Sequence, residues 1–563
     1  MVFKILIIST LLAACARSTR DDTGQLAFLA DFESLEASKE CWTPDIPEIS
    51  DSSHRILENI KSKLSNVSYQ AESIARFQSA VHIDTQVDDN FGDVDDDERW
   101  YKFYNFSAFL KKEFPRVHEK LTLEKINSHG LLYSWNPAAQ DFDVETGSKP
   151  IVLMAHQDTV PVSPKSLSDW KFDPFEGHID EDGMMYGRGV HDDKNSLISI
   201  IESVELLLQS GFEPKRAIVL AFGFDEEISG RRGGLEISKF LQKRYGKGGV
   251  ELILDEGPGI TATVSPGEKT AYATIATSEK GYLDVSIEAV SPGGHSSLAG
   301  KHSLIGIVSE MIFSLESSIA FQARISKNNP VLGYLSCNDF GLPEVLPLVD
   351  RVRAGDIDAE YALGELFANT SIAFLSRTSQ AVDLISGGQK INALPERVSV
   401  GINYRVTPDL TLADVKQRIS SILKPLAEKH GLSSSFFEDG QEESSSERFL
   451  RVSQIGKALE PVKMSPEGTK AYSIVFGTVQ STLGSYYKKS LDLESLQAVP
   501  ILMAGNTDTR HFWNLTDNIF RFRPTRIDYG NNAGHTVNEH LYASDHFPSI
   551  EFYASLILNA NDM

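Results

Sequence analysis

The chain reads as an α/β protein in which a sheet flanked by helices is interrupted by an inserted α+β unit of ferredoxin-like order. Three observations predict this. From Ile151 to Thr263, apolar strands alternate with helical patterns such as Ser196 to Leu208 and Gly233 to Arg244. From near Thr270 the order becomes strand Tyr282 to Val290, helix Ser303 to Leu315, strands Gln380 to Leu384 and Val398 to Val406, helix Thr411 to His430 and strand Ser433 to Phe437. That is β-α-β-β-α-β. Finally, residues of metal-ligand type lie on both sides of this unit, so the chain beyond it must rejoin the first sheet.

Taken from the N-terminus, residues 1–16 read as a secretory signal. Lys4 precedes the apolar run from Ile5, which ends in Ala14-Cys15-Ala16 before Arg17. The run is shorter than the roughly 20 apolar residues a bilayer requires. An uncleaved signal-anchor is the alternative, and Leu12-Ala-Ala-Cys15 also has the shape of a lipoprotein box. Residues 17–50 are polar and acidic; helix-like Ile56 to Leu64, Ser73 to Val81 and Tyr101 to Phe114 follow, the last after the acid run Asp88 to Glu98. The expected division is 51–269 and 441–563 for the first domain and 270–440 for the inserted unit. The stretch around Cys337 to Thr378 exceeds ordinary loop length and is expected to elaborate that unit. Ser/Glu-rich Glu438 to Glu447 reads as the return linker.

Five motifs carry chemistry. The strand Ile151 to Ala155 ends at His156, with Asp158 placed to take the other imidazole N–H. In Gly187-Arg-Gly-Val-His-Asp192, two glycines allow the tight turn that lets Asp192 reach a metal at a helix start, where one carboxylate can bridge two cations. The strand from Ala217 delivers Glu226 and Glu227 into a turn, where neighbouring carboxylates can enter one site in different roles. A further strand ends in Asp255-Glu256-Gly257, and Ala533-Gly-His535 lies far away in sequence. Singly, a histidine or acid at a strand end is more often a satisfied core or turn residue. Five in order point to one site, and two histidines with three carboxylates suit zinc, with manganese or cobalt as substitutes.

The chain resembles the di-zinc metallopeptidases that include aminoacylase-1, glutamate carboxypeptidase and carboxypeptidase S. The match is nearest the carboxypeptidase S (Gly-X carboxypeptidase) branch, through Met154-Ala-His-Gln-Asp-Thr-Val-Pro161, Tyr186 to Asn195, Ala221 to Gly230, Glu279 to Val285, Pro292-Gly-Gly-His-Ser-Ser297, Gly387 to Pro395 and Asn506-Thr-Asp-Thr-Arg510. The resemblance implies a zinc-peptidase catalytic domain with the inserted unit as lid or dimerisation domain. It implies two zinc ions per subunit: His156 and Asp255 on one, Glu227 and His535 on the other, Asp192 bridging, and Glu226 as general base assisted by Asp158. Two cations about 3.5 Å apart acidify a bridging water, and a carboxylate beside it can take the proton. From the residues alone, Glu226 and Glu227 can exchange roles. The resemblance also points His295 to the tetrahedral intermediate, and Asn392, Arg510 and Arg405 to the substrate's free carboxylate, which suits a guanidinium fork. The implied activity is hydrolysis of the amide bond before a free C-terminal amino acid in short peptides. The alternative is an N-acyl, including N-fatty-acyl, amino acid amidohydrolase; a catalytically silent binding protein would have lost a ligand, the base or the lid histidine, and none is lost.

Composition agrees. At 563 residues the chain exceeds one ordinary core, and 41% hydrophobic with 23% charged is a soluble composition. A net charge of −24 without a basic run argues against nucleic acid. Of the three cysteines, Cys41 and Cys337 outlast the signal, so one disulfide can form and a disulfide scaffold is excluded. Sequons at Asn66, Asn105, Asn369 and Asn514 are compatible with glycosylation in a secretory, vacuolar, lysosomal or extracellular setting.

Overall fold

The computed structural model describes residues 41, 44–45, 47–137, 148–261, 269–438, 447–527 and 534–563. The predicted signal, most of the polar segment and most of the linker lie outside the described residues.

The first two helices of the described residues are both capped. Helix α1 (Asp51–Leu64) starts where the Ser50 hydroxyl accepts from Ser53 N, and α2 (Val67–His82) starts where the Asn66 side chain accepts from Tyr69 N. After α3 (Lys102–Glu113) the strands β1 (Thr122–Ile126) and β2 (Gly130–Trp135) form a hairpin. The alternation then runs β3 (Ile151–His156), α4 (Lys194–Gln209), β4 (Ile218–Gly223), α5 (Gly234–Tyr245) and β5 (Leu252–Asp255). Strands β3, β4 and β5 are buried along their whole length. Period-2 geometry explains this: Ile151, Leu153, Leu220 and Leu254 enter the core beneath α1, α2 and α4, while Val152, Met154, Val219 and Ile253 pack with Ile237 and Leu241 of α5. Both β4 and β5 run parallel to β3, so the ends of all three open on one edge of the sheet.

Strand β6 (Thr270–Glu279) belongs to this sheet, and after Lys280 alone the chain enters β7 (Gly281–Val290) of the inserted unit. There α6 (Leu304–Glu316) follows, with the short ribbon strand β8 (Gly294–His295) between them. Beyond α6, the helices α7 (Val331–Cys337), α8 (Val345–Arg353) and α9 (Ile357–Leu366) lead to β9 (Ser379–Gly387), β10 (Ala393–Leu394) and β11 (Arg397–Val406). Helix α10 (Leu412–Lys429) opens on a reciprocal capping box between Thr411 and Asp414. Strands β12 (Ser433–Phe436) and β13 (Phe449–Leu459) complete a five-stranded sheet of order β9-β11-β7-β13-β12, with α6 and α10 packed on Val285, Ile287, Val400, Ile402 and Tyr404.

Two expectations need correction. The inserted unit reaches Leu459 rather than 440, because β13 runs between β7 and β12 and its Leu450 and Val452 point into the core of that unit. The stretch around Cys337 to Thr378 does not elaborate the lid. Helices α7 to α9 bury Val331, Leu335, Val349 and Leu363 against Ala276 of β6 and Val499, Ile501 and Leu502 of the returning strand β14 (Ser495–Met503), on the first sheet. Cys337, the last residue of α7, is disulfide-bonded to Cys41. The return is completed by α11 (Lys470–Thr478), which precedes β14, then by β15 (Ile519–Arg521), which pairs with β5, and by α12 (His546–Asn561) against α4.

Candidate functional site

The site is built where β3, β4 and β5 end. His156 closes β3, and its Nδ1 lies 2.9 Å from the Asp158 main-chain oxygen, which fixes the ring with Nε2 facing the cleft. The carboxylate of Asp158 stands at 3.5 Å and serves another purpose, accepting the main-chain N–H of Glu226 at 3.2 Å and Glu227 at 3.0 Å. Carbonyl and carboxylate of Asp158 thus both face His156 Nδ1, and the side chain also shapes the turn after β4.

Asp192 lies between the histidines. One oxygen is 3.1 Å from His156 Nε2 and the other 3.1 Å from His535 Nε2, which is also 2.9 Å from Glu227. The loop presenting Asp192 is tied down by Glu539, whose carboxylate accepts N–H bonds from Gly189, His191 and Asp192 and one from Arg188 at 2.6 Å. Gly189 has φ +87, and a Cβ there would meet Thr159 at 2.7 Å.

At the fifth position two adjacent carboxylates, Asp255 and Glu256, stand near the cluster. Glu256 Oε1, not Asp255, stands 3.5 Å from His156 Nε2, and His156, Asp193 and Glu256 form a second cluster able to hold an ion beside that of His156, Asp192 and Glu227. Asp255 is paired in register with Arg521 and lies within hydrogen-bonding reach of Thr507, deeper in the sheet layer. The next residue takes the opposite side and carries one more methylene, which lets Glu256 reach the His156 ring.

The donor set fits a divalent ion. Glu227 Oε1 and both Asp193 oxygens are buried without hydrogen-bond partners, a cost that a cation would offset. His535 is pulled up to about 10 by its bonds to Asp192 and Glu227, and His156 is held well above the histidine range although burial works against it. Such a cluster attracts positive charge, and nitrogen and oxygen donors suit zinc. Arg523 meets part of this demand, with Nη2 3.1 Å from Glu256 and 3.6 Å from Asp192.

Glu226 is nearly buried and accepts from Arg510 Nη2 at 2.9 Å. Burial is the main reason its carboxyl is pushed up to about 8, against the pull of Arg510 and His156. Arg405 reaches the same region from strand β11 of the inserted unit, donating to Asn506 at 3.2 Å across the Tyr282 ring. His295 and Asn392 are brought together on the exposed ribbon of β8 and β10, where Ser296 N donates to Asn392 O at 3.2 Å. Among the described residues neither makes a hydrogen bond or ion pair with the acid cluster.

Sequence reasoning missed Glu256, Glu539 and Arg523 as members of the site. Glu256 was visible beside Asp255, and Glu539 four residues after His535, but their partners are set only by folding.

The sequence pattern of Peptidase family M20/M25/M40 matches residues 152–559, which take in the whole acid and histidine cluster. The chain belongs to this family. It is an M20 metallopeptidase, a hydrolase of peptide bonds. It is 36% identical to carboxypeptidase S of Saccharomyces cerevisiae over 92% of this chain and 89% of that one. It is 28% identical to the N-fatty-acyl-amino acid synthase/hydrolase PM20D1 of Mus musculus, over 81% of this chain and 82% of that one. In fold the M20 chain is similar to human carnosine dipeptidase 1, with a TM-score of 0.60 at 13% identity, covering 92% of this chain and 100% of that one.

Proposed function

We propose that this M20 peptidase is a two-zinc carboxypeptidase that hydrolyses the amide bond before a free C-terminal amino acid in short peptides of Gly-X type. The observation that carries the reading is the guanidinium of Arg510 standing beside Glu226 at the edge of the acid and histidine cluster. His156 and Glu256 would hold one zinc, Glu227 and His535 the other, and Asp192 both. When bound, such ions polarise the scissile carbonyl and acidify a water. Glu226, a buried carboxylate free of the ligand set, takes the proton of the attacking water and returns it to the leaving amine. Arg510, with Arg405 and Asn392, receives the substrate carboxylate, and on this proposal His295 meets the developing oxyanion when the lid closes. The kinship to carboxypeptidase S supports this choice of substrate.

A second reading, an N-fatty-acyl amino acid hydrolase, is favoured by one feature besides the kinship to PM20D1. Ile391 and Leu298, 99% and 81% exposed, stand close in sequence to Asn392 and His295 and offer an apolar surface for an acyl chain. The test is hydrolysis of Cbz-Gly-Leu, its C-terminal amide and an N-oleoyl amino acid by zinc-loaded wild type and Glu226→Gln. Cleavage of the free-acid dipeptide, lost in the mutant, supports the first reading; preference for the oleoyl compound replaces it with the second.

A lumenal or extracellular setting is part of the proposal. The Cys41 to Cys337 disulfide supports an oxidising compartment, and all four sequon asparagines are exposed. A lid-mediated homodimer is supported by edge strand β9, where Leu384 and Ile385 are exposed beside a strand edge that no strand among the described residues pairs. Sedimentation of wild type and Leu384→Asp checks it.

A further inference from the structure

We infer that Glu279 is a positioning residue for the carboxylate-binding end of the site, setting the place of Arg510 through the turn at 506–510; this rests on the proposed role of Arg510. Glu279 is the last residue of β6, immediately before the crossing into the lid at Lys280. Its side chain has no solvent exposure. Oε1 accepts from Thr507 N at 2.9 Å and lies 3.2 Å from the Thr507 hydroxyl and 3.4 Å from that of Thr509. Arg521, equally buried, brings Nε to 3.0 Å of Oε1 and Nη2 to 3.2 Å of Oε2.

What the carboxylate grips is the turn that aims Arg510. The Thr507 carbonyl accepts from Arg510 Nε at 2.8 Å, and Arg510 Nη2 then reaches Glu226 at 2.9 Å. The line from Glu279 through Thr507 to Arg510 ends on the proposed general base. Asn506 ties the same turn to the hinge and the lid, donating to Lys280 O at 2.7 Å and accepting from Arg405.

A buried ion pair is a costly core filler, often matched or bettered by apolar residues of the same volume. Apart from its contacts with Arg521, this carboxylate directs its hydrogen bonds at a single functional turn. A carboxylate that accepts a main-chain N–H holds it with a charge-assisted bond, and displacing a substrate-binding group by about 1 Å can cost about 100-fold in rate.

The variant to make is Glu279→Asp, which keeps the charge facing Arg521 and shortens the reach to Thr507. In the zinc-loaded full chain, kcat/KM for Cbz-Gly-Leu should fall by about 10- to 100-fold, mostly through KM, while any residual turnover of its C-terminal amide changes little. Zinc content should stay at wild-type level. Equal loss on both substrates with a lowered Tm would show a merely structural residue and overturn the inference. Thr507→Val, which keeps the N–H and removes the hydroxyl, serves if Glu279→Asp does not fold, and should raise KM for the free acid in the same sense; an unchanged KM would overturn the inference. Arg510→Ala separates the two levels. If it leaves the preference for the free acid intact, the role of Arg510 and this inference both fall; if it abolishes the preference and the Glu279 and Thr507 variants do not reduce it, only the inference does.

Discussion

Asp255 and Glu256 are chemically alike and adjacent, and a strand end places them on opposite sides of one chain. Only Glu256 comes within 3.5 Å of the His156 ring, while Asp255 lies with Thr507 and Arg521. Glu256→Ala should therefore reduce bound zinc from two ions toward one, whereas Asp255→Asn should leave two. Elemental analysis after dialysis against trace zinc decides between them, and the reverse pattern would restore Asp255 as the ligand. Glu539 acts one step further out, gripping the N–H groups around Asp192. Glu539→Gln should weaken zinc affinity by about 10- to 100-fold with the fold intact, read by competition with a chromogenic chelator.

At the scale of elements, α2, α4 and α12 meet around one buried carboxylate. Glu202 of α4 accepts from Tyr69 at 2.6 Å, pairs with Arg76 at 2.5 Å and lies 3.6 Å from His546 at the start of α12. Burial alone would raise its pKa, but His546, Arg76 and Tyr69 more than offset that and hold it at about 2, below the ordinary 4.5. A depressed carboxylate stabilises the folded state above its unfolded pKa and loses that contribution as pH falls from about 4.5 through about 2; the difference corresponds to ~3 kcal/mol. Glu202→Gln should lower the urea midpoint at pH 7 and flatten its decline between pH 5 and pH 3. An acid limb as steep as that of wild type would count against this network.

At the scale of the molecule, the insertion after α6 clasps the first domain. Helices α7 to α9 cover β6 and β14, and the disulfide from Cys337 holds the N-terminal segment to the same face across a sequence separation of 296 residues. Closing so long a loop restricts the unfolded chain, and a disulfide typically contributes about 2–4 kcal/mol. Cys41→Ser should lower Tm measurably while leaving zinc content and turnover of the preferred substrate unchanged. A parallel loss of activity would mean that the clasp also supports β6 and, through Glu279, the site.

The strand and helix periodicities, the crossing into the inserted unit, and the candidate residues His156, Asp192, Glu226, Glu227 and His535 could all be read from the chain. Each is written locally: His156, Glu226 and Glu227 follow apolar strands, whereas Asp192 and His535 follow short glycine-containing segments. Capping signals are equally local, which is why the helix over Thr411 to His430 was legible nearly to its ends. Relations between distant segments were not legible. Strand β13 looked like part of the return because alternation says which face is buried and not which sheet it joins. Asp255 and Glu256 could not be told apart because side-chain direction at a strand end depends on its neighbour, here Arg521 on β15. The grips of Glu539 on the Asp192 loop and of Glu279 on the Arg510 turn span 347 and 228 residues. The kinds of groups and their order were determined by the sequence alone; which carboxylate meets which partner was decided by tertiary packing, because a hydrogen bond depends on distance in space and carries no mark in the local pattern.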